Sequence, residues 1–80
     1  MIIDLNWKYV GSHEKLWQGR GIGLWSTVVF TISFEDKTTD MYLITTNIKQ
    51  IQKATCIGLE SAKQKSQALL ISYALSQSIL

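Results

Sequence analysis

The sequence predicts an α+β domain: a three-stranded antiparallel β-meander packed against a C-terminal α-helix, with a short helical turn before the main helix. Three observations carry this. The stretch IGLWSTVVFTISF, residues 22–34, alternates between apolar and small or hydroxylated side chains. A second apolar run, MYLITT, follows at 41–46 after the polar break EDKTTD at 35–40. Leu59, Ala62, Ser66, Leu69 and Tyr73 then fall on one stripe at helical spacing.

Residues 2–10 form the first expected strand. Ile3, Leu5, Trp7 and Tyr9 alternate with Asp4, Asn6 and Lys8, the pattern of a half-buried strand. The central strand is expected over 22–34, in the middle of the meander. Its even positions, from Ile22 through Leu24, Val28, Phe30 and Ile32 to Phe34, point to the core, with Ser26 as the exception. Gly23, Thr27, Thr31 and Ser33 point to water, and Trp25 and Val29 stand out as large apolar residues on that wet face. The third strand, 41–46, is apolar on both faces, so it is either covered twice or pairs with something outside the domain. The β-meander thus occupies 1–46 and the helical half 47–80, within a single domain.

Asn47, with Gln50 three residues on and an apolar side made by Ile48 and Ile51, predicts the short helical turn. Gly58 interrupts before the main helix. The first half of that helix is polar around its stripe. The second half adds Leu70, Ile71, Ala74 and Leu75, which spread apolar surface around the cylinder. One small sheet covers one side, so these four residues are expected at the interface of a homodimer.

Composition narrows the function classes. The chain has 80 residues, 46% of them apolar, and a net charge of +2 from eight basic and six acidic residues. That charge is too weak to name a partner. A single cysteine, Cys56, forms no internal disulfide and fits a reducing compartment. The N-terminus lacks a basic segment followed by a long apolar run, and ALLISYAL at 68–75 is too short to span a bilayer. The expectation is a complete cytoplasmic protein with no membrane contact.

No catalytic or metal constellation is found. The GRGIG run, residues 19–23, leads into a strand rather than from a strand into a helix, so it reads as a bend or bulge and not a phosphate loop. His13 and Cys56 are the one conceivable nucleophile pair, and nothing in their spacing recommends them. The carboxylates are scattered through strand, loop and turn. The sequence therefore predicts a non-enzyme with no cofactor, no metal and no small-molecule substrate.

Two binding functions follow. In the first, Trp17 and Arg20 in the loop join Trp25 and Val29 on the wet face as a protein-binding hot spot. A compact chain of this kind suits an inhibitor or adaptor that works by occluding a surface. Its size and style match those of small phage-encoded inhibitors, anti-CRISPR proteins among them. In the second, Lys49, Lys53, Lys63 and Lys65 make the helical half locally basic and bind nucleic acid. GLESAKQKSQALL resembles the basic start of the last helix in double-stranded-RNA-binding domains. The first helix of that family and its paired-lysine signature are absent from this chain, so no residue role carries over. Protein is the partner expected ahead of nucleic acid.

Overall fold

A computed structural model describes residues 4–11 and 16–77. The chain runs β1 (Leu5–Tyr9), β2 (Trp17–Gly21), a 3₁₀ turn (Gly23–Trp25), β3 (Val29–Asp36), β4 (Met41–Thr46), β5 (Ala54–Ile57) and α1 (Leu59–Ser76). All five strands form one antiparallel sheet in chain order, β1-β2-β3-β4-β5, and α1 packs across β3, β4 and β5. The α+β class and the central place of β3 agree with the sequence. The number of strands does not: among the described residues there are five, not three.

The two missed strands have local causes. β2 is WQGRG, where two glycines erase the alternation that marks a strand. Gly19 and Gly21 are there for close approach. A Cβ on Gly19 would sit 2.8 Å from the Trp7 ring, and one on Gly21 would sit 2.6 Å from the Trp25 Cβ and run into the Trp25 carbonyl oxygen. β5 is ATCI, four residues long, too short for periodicity to register. Ile3 of the first expected strand lies outside the described residues.

The stretch expected as one strand over 22–34 is broken. Ile22 and Leu24 are exposed, Gly23 takes φ +65°, and Trp25 turns inward through the 3₁₀ turn. The physical reason is area. Turning Trp25 onto Gly21 buries an indole that a continuous strand would leave in water. From Val28 the expected parity holds, with Val28, Phe30 and Ile32 buried and Phe34 exposed at the strand's far end.

Between β4 and β5, the expected helical turn shrinks to one hydrogen bond, Ile51 N–H to Ile48 O at 3.2 Å. Asn47 does not cap it but reaches back to β3. Gly58, at φ +89°, ends β5 and sets the direction of α1. The core joins Leu5, Trp25, Phe30, Ile32, Tyr42 and Ile44 of the sheet side to Ala62, Ser66, Leu70 and Ala74 of α1. Ser66 is fully buried, its hydroxyl donating to Ala62 O at 2.9 Å, and its small size lets the helix approach the sheet.

The helix expectation needs correction at this point. Leu70 and Ala74, assigned to a dimer interface, are fully buried within the chain. Five strands and the 47–51 turn offer more cover than the expected three-stranded sheet. Ile71 and Leu75 alone of that set remain exposed, at 36% and 59%.

Candidate functional site

In an antiparallel sheet, directly opposed residues share a face. The register pairs Trp17 with Ile32, Gly19 with Phe30 and Ile32 with Ile44, which fixes the face under α1. The opposite face holds Arg20 beside Val29, Gln18 beside Thr31, Thr31 beside Thr45, Ser33 beside Leu43, and Met41 beside Ile57. No described element covers it. Gln18, Val29, Thr31, Ser33 and Thr45 line a concavity of about 540 Å³ on this face.

The four residues expected to bind protein divide between the two faces. Arg20 and Val29 come together as cross-strand partners on the uncovered face. Arg20 is exposed, and its Nη1 donates to Ser26 O at 3.3 Å, which holds the guanidinium near the mouth of β2. Trp17 and Trp25 belong to the helix side. Trp25 is buried at 6% exposure, meets Tyr73 edge-on with ring centroids 6.3 Å apart, and has its Nε1 buried without a hydrogen-bond partner among the described residues. It is a core residue, not a contact residue. Trp17 is half-buried between Tyr9, at 5.3 Å between centroids, and Lys63, whose Nζ stands 3.8 Å from the ring centroid.

The four lysines are divided between α1 and the β4–β5 connection. Lys63 lies over Trp17 of β2, while Lys65 donates to Thr55 O of β5 at 3.3 Å, so these two straddle the helix. Lys49 and Lys53 are exposed in the β4–β5 connection. His13, and with it the conceivable pair with Cys56, lies outside the described residues. Among the described residues no group of His, Cys, Asp or Glu side chains is placed to hold a metal ion. No helix among them is long and apolar enough to cross a membrane.

The chain matches no known family model, no curated protein and no solved structure. Its site must be read from its own chemistry. The titratable groups that depart from ordinary behaviour are structural. The Thr38 hydroxyl and amide donate to Asp36 Oδ1 at 2.7 and 2.9 Å and hold its carboxyl below the usual range at the β3–β4 turn. Burial, with the Asp40 carboxylate beside it, pushes the Tyr42 phenol up.

Sequence patterning missed Gln18, Thr31, Ser33 and Thr45 as a surface. Thr31 and Ser33 were legible as wet-face residues. Gln18 could be placed beside them only with the register of the glycine-broken β2.

Proposed function

We propose that the protein is a non-enzymatic protein-binding module, acting as an inhibitor or adaptor that occludes a partner's surface through the uncovered face of its sheet. The observation that carries this is the pairing of Arg20 with Val29 on that face, next to the hydroxyl-lined concavity. Arginine is among the residues enriched at interface hot spots, and the valine beside it adds dry contact area. The surrounding threonine, serine and glutamine side chains supply donors and acceptors at little conformational cost. Self-association through α1 stays in the proposal only for its outer residues, Ile71 and Leu75. The dispersal of Lys49, Lys53, Lys63 and Lys65 leaves nucleic-acid binding without a continuous basic track to support it.

The test compares the wild type with an Arg20→Glu/Thr31→Arg variant as baits in extracts of the source cell. The wild type retains a protein partner that the variant loses, with unchanged circular dichroism. Equal retention by both overturns the assignment of the face. Salt-sensitive retention of nucleic acid by both overturns the class of partner.

A further inference from the structure

The two edges of the sheet differ. β5 is four residues long, and since Gly58 N–H donates inward to Asp40 O at 3.0 Å, the alternation of the ladder turns Thr55 and Ile57 outward. The chain's own side chains meet both outward carbonyls. Lys65 Nζ is 3.3 Å from Thr55 O, and Cys56 Sγ is 3.9 Å from Ile57 O. A short edge carrying a lysine resists the addition of another strand.

β1 is built the other way. Val10 N–H donates to Leu16 O at 2.8 Å, so Asn6, Lys8 and Val10 face β2, and Leu5, Trp7 and Tyr9 turn their main-chain groups outward. Asp4 Oδ1 accepts the Leu5 N–H at 2.8 Å. The outward groups of Trp7 and Tyr9 meet no partner among the described residues. Alongside this edge runs a groove of about 500 Å³ between β1 and the first half of α1. It exists because α1 sits over β3 to β5 and leaves the β1 side open. Leu5 and Trp7 form its apolar base, with Asp4, Glu60 and Gln64 on its rim. Trp7 lies against Gly19, where no side chain could lift it.

We infer that the β1 edge and this groove together take an extended segment of a partner protein as a sixth strand. Main-chain pairing to Trp7 and Tyr9 supplies affinity, and alternate side chains of the segment enter the groove. Its lining specifies their chemistry. An apolar side chain rests on Trp7, and a neighbouring lysine or arginine on the same side of the segment meets the carboxylates of Asp4 and Glu60. Lys63 also lines the groove and keeps its charge over the Trp17 ring, so the cation is drawn by two carboxylates against one ammonium. The inference rests on the protein-binding reading but uses a different surface, which suits an adaptor.

The probe is a capped eight-residue peptide in which valine and lysine take turns at every second position with threonine between them, so that one side carries both, followed by amide chemical shifts and tryptophan fluorescence. A second peptide of the same sequence, N-methylated at every amide, has no N–H left to pair with an edge. The first peptide saturates, shifts the Trp7 and Tyr9 amides, and binds at least about tenfold more tightly than the N-methylated one. Glu60→Lys weakens it, while Arg20→Glu/Thr31→Arg leaves it unchanged, so failure of the uncovered face is read separately. Equal binding of both peptides, shifts centred on β5, or no saturation overturns the inference. A concentration-dependent dimer that protects the Trp7 and Tyr9 amides also overturns it, since the edge would then belong to a second copy.

Discussion

Asn47 and Val29 bond each other in both directions: Val29 N–H donates to Asn47 Oδ1 at 3.0 Å, and Asn47 N–H donates to Val29 O at 3.3 Å. The Asn47 amide also donates to Thr27 O at 2.7 Å. One side chain thus continues the ladder where β3 begins, and holds Val29 beside Arg20 on the uncovered face. Asn47→Ala removes both side-chain bonds and is expected to cost about 1–3 kcal/mol. Asn47→Asp keeps the acceptor but sets a carboxylate oxygen against the Thr27 carbonyl, so it does not rescue stability. Urea midpoints at constant m-value check both.

The β2 glycines rank by what a side chain would strike. Gly19→Ala meets the Trp7 ring, which has rotamers to move through, and overpacking of this kind costs about 1–3 kcal/mol. Gly21→Ala meets the main chain of Trp25, which cannot swing away, and is expected to be the more damaging of the two. Thermal melts of the two variants give the order directly. A milder effect at Gly21 contradicts the packing of the 3₁₀ turn onto β2.

Leu70 and Leu75 separate core from surface on one helix. Leu70→Ala empties a fully buried site and costs about 2–5 kcal/mol. Leu75→Glu leaves the melting temperature nearly unchanged, because Leu75 is largely exposed. Sedimentation equilibrium gives its second effect: the proposed contact between copies through Ile71 and Leu75 is lost in that variant.

The class of the fold was legible because its signals are periodic: Phe30 and Ile32 alternate with Thr31 and Ser33, and α1 starts one residue after Gly58. What stayed hidden depended on contacts distant in sequence. Trp25 sits at a position whose parity says water, and its burial follows from the bare backbone of Gly21, which no local pattern announces. Trp25→Ala is accordingly a folding defect of about 3–5 kcal/mol and not a clean probe of binding. For the candidate site, residue type points to Arg20 and strand parity to Val29, and the register is what makes them neighbours. The alternation of the first strand puts Trp7 on its apolar side, and its second role depends on the gap beside α1.

Alkaline pH reports on Tyr42. Its folded pKa lies above the ordinary value of 10.0, so folding disfavours the phenolate. The stability this group contributes is fully present below the unfolded pKa and is lost as pH rises through the folded one. Urea midpoints therefore fall above about pH 10, where unfolded tyrosine ionises, and Tyr42→Phe loses less over the same range. A wild-type midpoint that is flat across that range contradicts the burial of this phenol.

The order of the sheet carries a consequence for synthesis. Each strand pairs with the one made just before it, so the meander can zip up as it leaves the ribosome, from contacts close in sequence. The helix that shields Phe30, Ile32 and Ile44 is made after all five strands. For that interval the nascent sheet shows both faces and an open β1 edge to its neighbours, and crowded translation of this chain is when it is most exposed to sticking to itself.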